Sequence, residues 1–256
     1  VMIFLTIDIG NSSVFFCFFE ESKILNYLKL KKNDINKKKI IKIIENYKKN
    51  FESLKIIISS VVPSISKLFL SIFKDLEFEF FFINDIRKKL DLKTNIKNKN
   101  LIGDDRIVNV FYAREIFQKS VIIVDFGTAT TFDVLNKKGI YSGGVITPGI
   151  DLSLKSLKDQ TAKLPLVTFK KTKKVLGTTT QTAIQSGFFW GYISMVEGLI
   201  KKIKKEEKTN FKIVLTGGNA HFFSTYIKKI TMIDKFFTVK GLNSILIKRL
   251  NYDKKF

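Results

Sequence analysis

Cysteine, histidine and tryptophan each occur only once in this sequence of 256 residues, and proline occurs three times. The single cysteine, Cys17, lies inside an apolar run, which excludes a disulfide framework and fits a reducing compartment. No basic residue stands beside it to favour a thiolate, so we predict a small buried hydrophobe rather than a nucleophile. The only histidine, His221, follows the letters TGGNA at a helix start and is predicted to be a surface or cap residue.

Long apolar runs are also missing from the sequence. None reaches the ~18 residues that a membrane-spanning helix needs. The first run resembles the core of a secretion signal, but it lacks a basic flank and Asp8 interrupts it. We therefore expect a cytoplasmic protein that has no membrane partner.

Arginine is scarce although the net charge is +22, because only four of the 45 basic residues are arginines. Proteins that read bases and phosphates favour the bidentate fork of arginine. The lysines are spread over predicted solvent faces and form no single stripe with aromatic residues. We therefore predict no nucleic-acid partner, and we expect the charge to attract small anionic ligands.

The order of strand and helix patterns indicates an α/β fold. Residues 2–7 and 14–20 are almost entirely apolar, as in strands covered on both faces, and a third strand is predicted at residues 23–30. A helix, a fourth strand and a second helix follow, which gives the order β-β-β-α-β-α. The length of 256 residues allows two domains of about 120 residues each.

The second half of the chain repeats the opening of the first. Asp8 begins the letters DIGNSS after one apolar strand pattern, and Asp125 begins DFGTATT after another. Each turn is followed by a second strand, a short turn and a third strand. The repeat predicts two similar domains, which we divide into residues 1–118 and 119–256.

The residue types of the repeated turn suit a phosphate site. A glycine lets the backbone approach a ligand closely, and the neighbouring N–H groups and hydroxyls supply donors. An aspartate in the same turn is best explained by a cation, since Mg²⁺ is held by carboxylates, waters and phosphate oxygens. A single copy could equally be an ordinary hairpin, but two copies in register favour the phosphate site.

Six ordered motifs resemble those of the type III pantothenate kinases, a branch of the superfamily of actin, Hsp70 and sugar kinases. They are GDDRIVN at residues 103–109, DFGTATTFD at 125–133, GGVITPG at 143–149, TAKLP at 161–165, GTTTQTAIQSG at 177–187 and TGG at 216–218. The resemblance implies two ribonuclease-H-like domains, each a mixed sheet flanked by helices, with ATP in the cleft between them. It also implies transfer of phosphate from ATP to the primary hydroxyl of pantothenate, the first step of coenzyme A biosynthesis.

The same resemblance implies a nucleotide site with two kinds of metal ion. The ATP phosphates and Mg²⁺ would be bound by the first turn, which consists of Asp8, Ile9, Gly10, Asn11, Ser12 and Ser13. Asp125 would bind a potassium or ammonium ion, and Thr128 would be a second nucleotide contact. Gly217 and Gly218 would lie against the adenosine.

The resemblance places pantothenate at the segment Gly103, Asp104, Asp105 and Arg106. Arg106 is a candidate for binding the pantothenate carboxylate, and Asp105 is a candidate for the base that takes the hydroxyl proton. The two acids could instead only stabilise a helix N-terminus, and Asp104 could serve as a cap or backbone contact. Thr180 matches a substrate-contacting threonine and could also be a helix N-cap.

A predicted helix from residue 180 contains Gly187, Gly191 and Gly198, each of which costs roughly 1 kcal/mol relative to alanine. We expect another helix to approach them closely, in a homodimer such as this family forms. Ile96 and Lys99 depart from the family pattern, which places a tyrosine and a proline at these positions next to pantothenate. This departure predicts an altered pantothenate pocket on that side.

Two other functions stay open. One is a kinase or phosphatase of the same superfamily with another substrate, although the GDDR and TAKLP segments argue against it. The other is a nucleotide-binding regulator without turnover. The presence together of Asp8, Asp105, Arg106, Asp125 and Thr180 opposes this second alternative.

Overall fold

The computed structural model describes residues 2–48 and 53–253 of the chain. These residues form two compact units, one of the described residues up to 116 together with those from 236 onward, and the other of residues 117–235. Each unit contains a mixed five-stranded sheet with helices. None of the helices within the described ranges combines the length and the apolar character needed to cross a lipid bilayer.

The sheet of the first unit has the strand order β3-β2-β1-β4-β5. Its strands are β1 (Met2–Ile9), β2 (Ser13–Glu20), β3 (Lys23–Lys31), β4 (Ser53–Ser60) and β5 (Glu79–Phe82). Strands β1, β2 and β3 are antiparallel neighbours, whereas β4 runs parallel to β1 and β5 runs parallel to β4. The helices of this unit are α1 (Lys37–Lys48), α2 (Pro63–Asp75), α3 (Ile83–Ile86), α4 (Asp104–Phe117) and α8 (Phe237–Asp253). Short 3₁₀ helices span Lys32–Asp34, Arg87–Leu90 and Lys99–Leu101.

Strand β1 is buried on both faces along most of its length. Alternate residues from Ile3 to Ile9 belong to a core that also contains Phe69 and Phe73 of α2. Helix α8 packs against β1 and β4. On β2, Cys17 is completely buried, and burial raises the pKa of its thiol to about 12. The prediction that Cys17 is a small buried hydrophobe is therefore confirmed.

The sheet of the second unit has the same topology as the first, with the order β8-β7-β6-β9-β10. Its strands are β6 (Val121–Phe126), β7 (Ala129–Leu135), β8 (Tyr141–Pro148), β9 (Lys212–Gly217) and β10 (Met232–Ile233). The helices are α5 (Ile150–Asp159), α6 (Thr180–Glu206) and α7 (Ala220–Ser224). Three antiparallel strands are again followed by two parallel ones, so the predicted pair of similar α/β domains is confirmed.

The division into two units differs from the predicted boundary at the C-terminal end. We assigned residues 119–256 to the second domain, but residues 236–256 group with the first unit. The reason is that α8 packs against β1 and β4. Two of its leucines, Leu242 and Leu246, are fully buried.

Candidate functional site

The first polar turn joins β1 to β2 and keeps its polar groups near the surface. Asp8 is half-buried next to the end of β1, while Asn11 and Ser12 are exposed. The Gly10 N–H donates to the Ser13 carbonyl across the turn at 3.0 Å. The Ser12 carbonyl accepts a hydrogen bond from the Lys32 N–H, also at 3.0 Å. The turn is therefore anchored at its base and presents polar groups at its tip.

The fold itself does not require a glycine at position 10. A Cβ atom added there would meet only the Ser13 carbonyl oxygen at 3.4 Å, and no left-handed backbone conformation occurs at this position. A side chain at position 10 would therefore fit without a clash with the described residues. The absence of one leaves the backbone open to a ligand, which suits a phosphate.

The second polar turn, between β6 and β7, also closes with a hydrogen bond from its glycine but is one residue shorter than the first. The Gly127 N–H donates to the Ala129 carbonyl at 3.1 Å, and Asp125 is half-buried like Asp8. The Thr128 carbonyl accepts a hydrogen bond from the Gly149 N–H at 2.9 Å. The repeated sequence pattern therefore forms, in both units, a hairpin turn that directly follows a half-buried aspartate.

Strand β9 brings the predicted adenosine contacts next to Asp125. Thr216 pairs with Asp125 in parallel register, so Gly217 and Gly218 follow directly beside it. Gly217 has a φ of +86°, and a Cβ atom there would lie 2.4 Å from Asp125 Oδ1. The Gly218 N–H donates to the Phe126 carbonyl at 3.1 Å. Here the glycine is required, because any other residue would push against the carboxylate.

The N-terminus of α4 contains Asp104, whose carboxylate is engaged within the chain. Its Oδ1 forms an ion pair with Arg87 Nη2 at 3.0 Å, and the two side chains are only 6% and 10% exposed. Its Oδ2 accepts a long hydrogen bond of 3.4 Å from the Ser60 N–H. Burial raises the pKa of Asp104, and the Arg87 charge partly offsets this effect. These contacts favour the structural alternative for Asp104.

The neighbouring Asp105 has a different environment. Its Oδ1 accepts a hydrogen bond from the Arg106 N–H at 2.8 Å. Burial raises the pKa of Asp105, and the hydrogen bond and charge of Arg106 act against it. Gly103 leaves space for this carboxylate, since a Cβ atom there would lie 2.6 Å from Asp105 Oδ1. A carboxylate with a raised pKa is a suitable proton acceptor.

Thr180 lies at the start of α6 but is not its cap. The N-cap is Thr179, whose hydroxyl accepts a hydrogen bond from the Thr182 N–H at 3.2 Å. The Thr182 hydroxyl accepts in turn from the Thr179 N–H at 3.0 Å, which completes a capping box. The alternative of Thr180 as an N-cap is therefore wrong, and its exposed side chain is available for another role.

Two residues that sequence reasoning overlooked hold α4 in place. Arg87 donates to Asp104 and also to the Ile102 carbonyl at 2.7 Å, so it ties the preceding segment to the helix. Ser60 contributes its backbone N–H from the end of β4. In the sequence, only the rarity of arginine drew attention to Arg87, and no pattern connected it with Asp104.

The remaining predicted positions are peripheral to these contacts. Ile96 is half-buried in the segment before α4, where its N–H donates to the Thr94 hydroxyl at 3.1 Å. His221 is exposed in α7, which confirms the prediction of a surface residue. Within residues 2–48 and 53–253 there is no cluster of three or more His, Cys, Asp or Glu side chains that could hold a metal ion.

Comparison with known proteins identifies relatives over almost the whole chain. The family described as type III pantothenate kinase matches residues 4–202. The type III pantothenate kinase of Persephonella marina is 40% identical, with 94% of this chain and 97% of the relative covered. That of Halalkalibacterium halodurans is 35% identical, with coverages of 96% and 99%. A crystal structure of a Baf family transcriptional activator from Campylobacter jejuni superimposes with a TM-score of 0.63 at 23% identity, covering 96% of this chain and 99% of that one. This last likeness shows the fold alone.

Proposed function

Because the chain belongs to the type III pantothenate kinase family, we propose that it transfers the γ-phosphoryl group of ATP to the primary hydroxyl of pantothenate. The products are ADP and 4′-phosphopantothenate, and the reaction is the first step of coenzyme A biosynthesis. Family membership confirms the resemblance of the sequence motifs. The observation in the structure that best supports this activity is Asp105, a carboxylate with a raised pKa at the N-terminus of α4. The reaction is placed in the cytoplasm, where the lone cysteine would stay reduced.

The first turn is assigned to the ATP phosphates. Its backbone N–H groups and the side chains of Asn11, Ser12 and Ser13 are the donors, and Gly10 leaves the backbone accessible. Asp8 would hold Mg²⁺ together with water and phosphate oxygens, a site that needs no cluster of three carboxylates. The metal would neutralise charge on the transferred phosphoryl group.

The second turn and the end of β9 are assigned to the rest of the nucleotide and to a monovalent cation. Asp125 would bind potassium or ammonium, and Thr128 would contact the nucleotide. Gly217 and Gly218 follow directly beside Asp125 at the end of β9, and their backbone is assigned to the adenosine.

The acceptor is assigned to the start of α4 and to α6. The pantothenate hydroxyl oxygen attacks the γ-phosphorus, the bond from phosphorus to the β-phosphate oxygen breaks, and the hydroxyl proton passes to Asp105. Arg106 would bind the pantothenate carboxylate, and Thr180 would contact the substrate with its exposed hydroxyl. Gly103 serves this site by leaving space for Asp105, whereas Asp104 supports it from the ion pair with Arg87.

A homodimer through α6 completes the proposal. Gly187, Gly191 and Gly198 share one face of this helix, and apart from the adjacent backbone of the helix itself no described atom lies within 4 Å of a Cβ atom added at any of them. Their cost in helix stability therefore has no explanation within the described residues. Light scattering should show a dimer, and Gly191→Glu should give a monomer that is still folded.

The direct test is ADP release with ATP, Mg²⁺ and pantothenate, with and without potassium or ammonium. We expect turnover that depends on pantothenate and on the monovalent ion. Asp105→Asn should lower kcat by roughly 10²- to 10⁴-fold, the usual contribution of a general base, with little change in ADP affinity. Nucleotide binding without turnover on pantothenate or on related alcohols would instead support the regulator. Turnover on another alcohol alone would support a different kinase of the superfamily.

A further inference from the structure

The side chain of Ser59 is buried without a hydrogen-bond partner next to the first polar turn. Ser59 is completely buried on β4, and within the described ranges its Oγ atom has no partner. Burial of an unpaired hydroxyl destabilises a protein, whereas an alanine at the same position would avoid this penalty. The fold therefore gives no reason for a serine at this position.

Strand register places Ser59 directly beside Asp8. The two residues are partners in the parallel pairing of β1 with β4. The preceding pair, Ile7 and Ile58, faces the apolar core, and side chains alternate between the faces of a sheet. Asp8 and Ser59 therefore lie side by side on the opposite face, on strands whose usual spacing of about 4.8 Å allows a hydrogen bond between neighbouring side chains.

The second unit repeats this arrangement at its own acid. Thr216 is 1% exposed on β9 and is the parallel partner of Asp125, as Ser59 is of Asp8. The backbone contacts that follow the hydroxyl residue are also alike. Two residues after Ser59, the Val61 N–H donates to the Ile9 carbonyl, and two residues after Thr216, the Gly218 N–H donates to the Phe126 carbonyl. A buried hydroxyl thus accompanies the acid at the same position in two otherwise different sequences.

We propose that Ser59 is a positioning residue for Asp8, donating its hydroxyl hydrogen to the Asp8 carboxylate when Mg²⁺ and nucleotide are bound. This inference rests on the proposed function of the first turn. The hydrogen bond would hold the carboxylate in one orientation, with its remaining lone pairs directed toward the cation. Ser59 itself would touch neither the nucleotide nor the metal, because it has no exposed surface.

Calorimetric titration with ADP, with Mg²⁺ or with EDTA, tests this proposal without relying on turnover. Ser59→Ala should weaken the binding of ADP with Mg²⁺ by about tenfold, a typical effect of losing a hydrogen bond to a charged group. Its affinity for ADP in EDTA should equal that of the wild type, and its melting temperature should not fall. Ser59→Thr, which copies the residue of the second unit, should restore binding.

Two further variants separate this role from a general structural effect. Ser142→Ala removes another buried hydroxyl that lacks a partner in the described chain, and it should leave ADP binding unchanged. In an Asp8→Asn background, Ser59→Ala should have no additional effect, since the hydroxyl acts through the carboxylate. If Ser59→Ala does not fold, Ser59→Cys keeps the volume and offers only a weak donor, so it repeats the test.

Several results would overturn the proposal. Binding of ADP with Mg²⁺ by Ser59→Ala within twofold of the wild type would do so, as would a loss that persists in EDTA or in the Asp8→Asn background. An equal loss in Ser142→Ala would assign the effect to packing. Failure of the wild type to bind ADP with Mg²⁺ is a separate outcome, which would remove the assigned nucleotide site and this inference with it.

Discussion

The strands next to the two acid-bearing strands end in different ways, although their register is the same. In the first unit β4 ends at Ser60, whose N–H donates to Asp104 and whose hydroxyl accepts from Ser66 at 2.6 Å. In the second unit β9 ends at Gly217, which has a φ of +86° and no side chain to contact Asp125. The equivalent positions therefore differ in both chemistry and backbone conformation.

This difference shows how one supersecondary frame serves two tasks. In the first unit the strand end holds the N-terminus of α4, and with it Asp105, through a chain of polar contacts from Ser60 to Asp104 and Arg87. In the second unit the N–H that follows the strand end, that of Gly218, donates to the neighbouring strand at Phe126, and the strand ends in a glycine beside a carboxylate. The first arrangement suits a position that must be rigid for proton transfer, and the second suits a surface for a flat ligand.

Breaking the polar chain of the first unit should have the largest effect on stability. Arg87→Met would leave the Asp104 carboxylate buried without its cation, which typically costs about 3–5 kcal/mol. Urea unfolding of the variant measures this loss. Asp104→Asn in the same background should recover part of it, because the buried charge is then removed. A loss below about 1 kcal/mol would mean that the pair is no stronger than an exposed ion pair.

Substitution at the second strand end should have a smaller effect on stability. Gly217→Ala would force an alanine into a left-handed backbone conformation and against Asp125 Oδ1, at a cost of order 1–3 kcal/mol. The equivalent change in the first unit, Ser60→Ala, loses hydroxyl contacts worth only about 1 kcal/mol. Unfolding curves give both values, and the dependence of turnover on potassium should change only in Gly217→Ala. An equal effect of the two variants on potassium dependence would contradict the assignment of Asp125.

The frame itself was predictable because its determinants are local. Apolar runs on either side of a polar turn define each hairpin, and the repetition of this pattern predicts a second unit of the same kind. The position of α8 was not predictable in this way. An apolar helix can cover either of two similar sheets, and only the packing in three dimensions assigns it to β1 and β4.

The candidate site was predictable as a set of positions but not as a set of contacts. Asp8 and Asp105 were identified because each is an acidic residue within a glycine-containing motif, DIGNSS and GDDR respectively. The partner of Asp104 is Arg87, which lies 17 residues away in a different element, and no periodic pattern connects the two. The cap of α6 lies one residue before the predicted position, since residues 178–182 form a run of five polar residues and only the hydrogen bonds of Thr179 identify the cap.

Protonation of Asp105 gives a pH-dependent prediction for the first unit. Burial raises the pKa of this carboxyl above the unfolded value of about 3.9. The folded state therefore binds the proton more tightly than the unfolded state. Protonated Asp105 thus contributes to the free energy of unfolding at low pH, and this contribution is lost as the pH rises through the folded pKa. Asp105→Asn should remove this loss, so its stability relative to the wild type should increase with pH above about 4. Urea unfolding at a series of pH values measures the difference, and a difference that is constant or falls with pH would contradict the prediction.

The smallest expected effect separates two adjacent threonines at the start of α6. Thr179→Ala removes one side of the capping box and should lower stability by about 1 kcal/mol. Thr180→Ala removes an exposed hydroxyl that makes no cap, so stability should not change while the KM for pantothenate rises. Thermal unfolding and steady-state kinetics of the two variants give both quantities. If Thr179→Ala changes the KM and Thr180→Ala does not, the substrate contact belongs to the cap residue. Thr179 would then have both a structural and a binding role, whereas at the two strand ends these roles belong to different units.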